Sequence, residues 1–185
     1  DGDRPLVGMI AGLRVMKGHL VVIEAAAQLA RAGLRPRFVF VGRGGMEEPV
    51  RDAIHRAGLA ADVTISGFVD DLPAALAALD LALYVPLESD GMSRVVYECL
   101  AAGRPLVASR VGVVPEVLTE GEHAALVPAG DARELAAAIA RLLADPAACA
   151  RLGAAGRALV ARRYSGACVA AGLEARYRDL AGAPA

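Results

Sequence analysis

DLALYVPLESDGMSRVVYECLAAGRPLVAS, residues 80–109, holds two short apolar runs on either side of a helix-like segment. The runs DLALYVP (80–86) and PLVAS (105–109) read as buried strands, and RVVYECLAAG (94–103) as a helix that stops at Gly103. Strands separated by one helix give a βαβ unit, and a right-handed crossover makes the two strands parallel. Pro86 closes the first strand, so Glu88 to Gly91 form a loop beyond its carboxyl end. The helix opens near Met92, Ser93 and Arg94.

The same alternation runs outward in both directions. LVGMIAG (6–12), PRFVFVG (36–42), DVTISGF (62–68) and AALVP (124–128) read as further strands. Helix-like segments fill 18–33, 46–58, 72–79, 132–145, 147–163 and 167–181, with a short one at PEVLTEG. In 18–33 the spacing puts Leu20, Ile23, Ala27 and Ala30 on one face and Glu24, Gln28 and Arg31 on the other. Asp131 is placed to cap the helix at 132, and Asp70 or Asp71 to cap the one at 72. The expected fold is α/β: a doubly wound parallel sheet with helices on both faces. Ligands of such sheets bind beyond the carboxyl ends of the strands, which marks loops 12–18, 42–46, 67–72, 86–93 and 110–115.

Composition excludes several classes. A length of 185 residues suits one domain, and 56% hydrophobic residues with a net charge of -1 indicate a dense core rather than disorder. With no basic excess and only 4% aromatic residues, nucleic acid is not an expected partner. Charge or Gly interrupts every apolar stretch well before about 18 residues, so no transmembrane span is expected. Cys99, Cys149 and Cys168 form neither a disulfide framework nor a zinc site; Cys99 and Cys168 read as small packing residues, and a reducing cytoplasm follows as the expected location. His19, His55 and His123 lie near no second ligand at metal spacing.

Among 20 Lys and Arg residues only Lys17 is a lysine. A compact ammonium on a flexible stem differs from a guanidinium fork. Lys17 sits with Gly12, Arg14 and Gly18 in GLRVMKG, between the first strand and the first helix, where free amides and the helix dipole attract anions. Neither the Walker spacing nor G-x-G-x-x-G is present. GRGGM (42–46) offers a second glycine-rich turn. In the opening stretch, Asp90 lies in the loop and Glu98 about 6–8 Å along the helix axis from its start. Two acceptor-only carboxylates with helix amides between them fit a ligand with hydroxyls at each end and phosphates in the middle, as in a nucleotide-sugar. A loop Asp and a solvated helix-face Glu remain the plain alternative.

Taken together, these residues resemble the C-terminal, donor-binding half of GT-B glycosyltransferases, in the retaining family four or group 1. DGMSRVVYECLAAGRPLVAS resembles the family's E-x(7)-E element, and MKGH (16–19), FVFVGRGG (38–45), ISGFVDDLPAALAALDLALYVP (65–86) and VGVVPEVLTEGEHAALVPAGD (111–131) match in order. The resemblance implies that Lys17 contacts the donor diphosphate with the amides around Met92, Ser93 and Arg94. It implies Glu98 on the ribose hydroxyls, Asp90 on the transferred sugar, Gly67, Phe68 and Val69 beside the base, and Gly42 to Gly44 along the cleft. Lys17 and Asp90 would be the catalytic pair, with Gly18 and Arg14 at the phosphate turn.

This chain departs from the family pattern at three positions: Gly12 stands where Arg is usual, Asp90 where Glu is usual, and Ser93 where Gly is usual. The domains implied are 1–164 as a Rossmann-like nucleotide-sugar-binding unit and 165–185 as a helix crossing onto an absent N-terminal acceptor domain. The substrate implied is a nucleotide-diphosphate sugar, with no metal or other cofactor because Lys17 stands in for one. Peripheral membrane association of the full enzyme is compatible with this pattern. Two other classes share it: a non-catalytic nucleotide-binding domain, and another GT-B enzyme such as a nucleotide-sugar epimerase.

Overall fold

The computed structural model describes residues 4–89, 91 and 93–182, so Asp90 and Met92 lie outside the described residues. Six strands form one sheet: β1 (Leu6–Ile10), β2 (Arg37–Val41), β3 (Val63–Gly67), β4 (Leu81–Tyr84), β5 (Leu106–Ser109) and β6 (Ala125–Val127). Every neighbouring pair is parallel, in the order β3-β2-β1-β4-β5-β6. The helices are α1 (His19–Arg31), α2 (Glu47–Arg56), α3 (Leu72–Ala77), α4 (Arg94–Ala101), α5 (Val114–Val117), α6 (Ala132–Leu143), α7 (Pro146–Arg163) and α8 (Gly166–Gly182). The expected doubly wound sheet is what forms.

Strand side chains alternate between two cores. Val7, Met9, Phe38, Phe40, Leu81 and Leu83 pack on one face with α1, α2 and α6. Ala82, Tyr84, Leu106 and Ala108 pack on the other with α3, α4, α5 and the far end of α7. Burial on both faces explains why the strands read as continuous apolar runs rather than alternating ones. Asp131 caps α6 by accepting from the Arg133 and Glu134 amides, and Asp71 caps α3 by accepting from Ala74.

Two details differ from the sequence expectation. In α1, Leu20 is 45% exposed, whereas Val22, Ile23, Ala25, Ala26 and Leu29 are buried. The helix packs against α6 and α2 as well as the sheet, which rotates its buried arc away from Leu20. Cys99 is buried as expected and its thiol is pushed up to about 12 by burial and by the neighbouring Glu98 charge, but Cys168 is exposed. Its helix, α8, buries nothing. Val169, Leu173, Tyr177 and Leu180 stand exposed along one stripe of it. No described helix is long and apolar enough to cross a membrane.

Asp62 fastens the sheet's starting edge. Its side chain is only 4% exposed, and it accepts hydrogen bonds at 2.7 Å from Arg4 and at 2.7 and 3.2 Å from Arg35. Burial alone would push this carboxyl up; the hydrogen bonds from Arg35 and Arg4 outweigh it and hold the pKa below its ordinary 3.8. Both arginines remain about half-exposed and recover hydration if the acid is removed, so the cost stays below that of a fully buried pair. Asp62→Asn is expected to lose about 1.5–3 kcal/mol in urea unfolding at pH 7. Because the folded pKa is depressed, wild-type stability from this group is present above 3.8 and fades as the pH falls further, so the gap between the two proteins should close there.

Candidate functional site

The order of the sheet reverses between β1 and β4. After β1 the chain turns to α1 on one face, and after β4 it turns to α4 on the other, which opens a crevice between the two loops. Two cavities meet there, sharing Ile10, Ala11 and Gly12 as a common wall. The smaller, about 100 Å³, is lined by Lys17, Tyr84, Val85, Pro86, Ser93 and Val95. The larger, about 510 Å³, runs toward β2 and β3 past Gly42, Arg43, Phe68, Val69 and Asp70. A separate hollow of about 350 Å³, by Arg4, Asp80 and Cys149, lies at the opposite, amino end of the strands.

Close backbone contacts hold the crevice open. Val15–Lys17 form one 3-10 turn, followed by Gly18 with φ of 83°. A Cβ on Gly18 would lie 2.1 Å from the Val85 carbonyl oxygen, and the Leu87 amide donates to Met16 O at 2.8 Å. The turn is therefore pressed against the end of β4, and Lys17 is carried to the wall it shares with the start of α4. Gly42 abuts the Ala11 carbonyl in the same way, and Gly44 abuts Leu13. These glycines serve loop-to-loop packing; Gly42 also borders the larger cavity, while Gly44 does not.

The expected site residues are thus only partly gathered. Lys17 and Ser93 share the smaller cavity; Phe68, Val69 and Gly42 share the larger one, with Gly67 at its edge where the Arg43 guanidinium lies over it. Arg14 faces a third hollow with Val15, Met16, Leu87 and Glu88. Arg94, the first residue of α4, is exposed, and Glu98, one turn on, is half-buried and lines neither cavity. Ser93 caps α4 without a side-chain bond. Gly12 leaves room for a side chain, since a Cβ there would meet nothing closer than the Arg43 carbonyl oxygen at 3.6 Å. Arg43 and Asp70 were not singled out in sequence as cavity residues. Their only signal was position, in the loops after β2 and β3. Among the described residues no group of three or more His, Cys, Asp or Glu could hold a metal ion.

His19 opens α1 directly behind Lys17. It is 2% exposed, meets Phe40 edge-on at 5.1 Å, and neither ring nitrogen has a partner among the described residues. Burial, with a smaller contribution from the Lys17 charge, lowers its pKa from 6.5 to about 4. His19 is neutral at pH 7 and leaves the positive charge of this turn to its neighbours.

A family model described as glycosyl transferases group 1 matches residues 4–145. The chain belongs to this family. It is 32% identical over 180 residues to alpha-D-kanosaminyltransferase of Streptomyces kanamyceticus, covering 96% of this chain and 46% of that protein. It is 39% identical over 184 residues to an MMP alpha-(1->4)-mannosyltransferase of Mycolicibacterium hassiacum, covering 96% and 41%. Among solved structures, HepE of Anabaena in complex with UDP superposes with a TM-score of 0.88 at 25% identity, over 96% of this chain and 49% of that one. The chain therefore spans about half the length of these relatives. A separately solved C-terminal domain of a group 1 protein from Francisella tularensis shares the fold, with a TM-score of 0.78 over 88% of this chain and 87% of that domain.

Two outcomes test this geometry. Gly18→Ala should cost more stability than Gly33→Ala. Both glycines have φ of 83°, a strain of about 1–2 kcal/mol for Ala, but a Cβ at Gly33 meets nothing within 4 Å. Equal losses in thermal melts would mean that the Val85 contact does not hold the turn. For His19, the depressed pKa means stability is full above about pH 6.5 and falls as pH drops toward about 4. Urea unfolding of His19→Leu should show a flatter pH dependence than wild type across that window.

Proposed function

We propose that this chain is the donor half of a retaining glycosyltransferase, binding a nucleotide-diphosphate sugar along the crevice at the strand carboxyl ends. The observation that carries this reading is the pair of adjoining cavities. A roomy one has mostly apolar walls and suits a base; a narrow one sets Lys17 against the start of α4 and suits phosphate. Support also comes from relatives. HepE has been solved with UDP and with UDP-glucose at 25% identity, and a mannosyltransferase of Mycolicibacterium smegmatis, 31% identical over 164 residues, is GDP-mannose-dependent.

In this reading the Lys17 ammonium and the first amides of α4 bear on the diphosphate as the glycosyl–oxygen bond breaks, stabilising the charge that develops on it. The acceptor oxygen bonds to the anomeric carbon on the face from which the diphosphate leaves, and its proton passes to the departing diphosphate oxygen, which has taken the electron pair of the broken bond. No metal is required, since Lys17 supplies the cation. Glu98, half-buried one turn into α4 and outside both cavities, holds the ribose hydroxyls where the donor passes that helix. The sugar role of Asp90 and the diphosphate role of Met92 concern residues outside those described. The second half of the enzyme would bring the acceptor, and the exposed stripe of Val169, Leu173, Tyr177 and Leu180 on α8 would seat against it.

Calorimetric titration of the chain with UDP, GDP and ADP, and then with their sugar conjugates, tests the reading. Binding in the millimolar range or tighter is expected, weakened at least about tenfold by Lys17→Ala, the scale of one charged hydrogen bond. Glu98→Ala should weaken binding as well, with helical content unchanged. No nucleotide binding, or binding indifferent to both substitutions, would overturn the donor-site reading.

A further inference from the structure

We infer that the larger cavity selects guanine, so that the donor is a guanosine-diphosphate sugar. Guanine selection rests on the nucleotide-sugar reading of the crevice and goes beyond it by naming the base. The walls from Ile10 to Gly12 and at Val41, Val69 and Leu72 are apolar, and Phe68, 74% exposed, stands among the lining residues as a flat surface for a ring. Among the described residues, only two with charged side chains line this cavity, Arg43 and Asp70.

Both are uncommitted. The Arg43 guanidinium lies over Gly67, its Nε and one terminal nitrogen at 3.5 and 3.8 Å from where a Gly67 Cβ would be. It makes no side-chain hydrogen bond or ion pair with a described residue, and it is not paired with Asp70. Asp71 is engaged in capping α3 through Ala74 N at 2.9 Å, whereas Asp70 beside it has no such partner among the described residues. One cavity therefore presents a donor fork and an acceptor-only carboxylate held apart from each other.

A base that satisfies both must offer acceptors to the fork and adjacent N–H donors to the carboxylate. Guanine does so, with O6 and N7 as acceptors and N1–H and the N2 amino group as donors. Uracil offers a single N3–H flanked by two carbonyl oxygens, so a carboxylate placed there also faces an acceptor. Adenine offers the guanidinium fork only N7, beside the N6 amino donor, where guanine offers O6 and N7 together.

The test is competitive binding of GDP, inosine diphosphate, UDP and ADP to the chain, to Arg43→Ala and to Asp70→Asn. Both side chains are exposed, and unchanged melting temperatures identify the folded variants. Wild type should prefer GDP over UDP and ADP by roughly 5-fold or more, and GDP over inosine diphosphate, which lacks the N2 amino group. Asp70→Asn should erase the preference for GDP over inosine diphosphate, and Arg43→Ala should weaken both of these purine nucleotides. UDP or ADP binding as tightly as GDP, or a GDP preference that survives Asp70→Asn, would overturn guanine selection while leaving nucleotide binding intact. Failure of all four diphosphates to bind would instead defeat the donor-site reading on which it stands.

Discussion

Because β1 pairs with β2 along one side and with β4 along the other, the loops after β1 and β4 must leave the sheet toward opposite faces. The gap between them cannot be closed by either helix layer, and the crevice is a consequence of strand order before any side chain is considered. All six strands run parallel, so every β-to-α loop arrives at the same edge. That edge is where Lys17, Gly42, Phe68 and Ser93, from four separate segments, come to border connected space.

Holding that edge in shape is largely the work of backbone contacts. The turn at Gly18 lies against the Val85 carbonyl, and the Gly42 backbone lies against Ala11, at distances that admit no Cβ. Neighbouring loops are thereby locked to one another, which sets the position of the Lys17 turn relative to the end of β4. The opposite edge is fastened by charge instead: Asp62 draws Arg4 and Arg35 onto the strand starts. Rigid ends on both sides suit the proposed placing of a cation before charge develops on the donor.

Much of this was legible in the sequence. Short apolar runs alternating with amphipathic ones identify the strands and helices to within a few residues, since burial of a parallel sheet on both faces demands continuous Val, Leu and Ala. The single Lys, the glycines around it and the collinear motifs marked loops that border the two cavities. Less legible was which face of α1 is buried, because packing against α6 adds a second contact surface that a one-sided helix pattern omits. The glycines of 42–46 read as access for a ligand; Gly44 lies against the Leu13 backbone and does not border the larger cavity. Arg43 and Asp70 gave no signal beyond their place in the marked loops, since a charged residue in a polar turn looks the same whether it faces solvent or lines a cavity.

The sequence by itself determined the fold class, the order of the elements and the family, since these follow from local periodicity and from motifs that keep their spacing along the chain. Only the tertiary structure decided which residues share space. Lys17 and Ser93 are far apart in sequence and meet because the β1 turn is pressed onto the end of β4. Arg43 and Asp70 meet at one cavity because β2 and β3 are neighbours in the sheet. Glu98, prominent in the sequence, lies one turn into α4 and borders neither cavity. Proximity across a sheet is set by strand order and register, which no local pattern encodes.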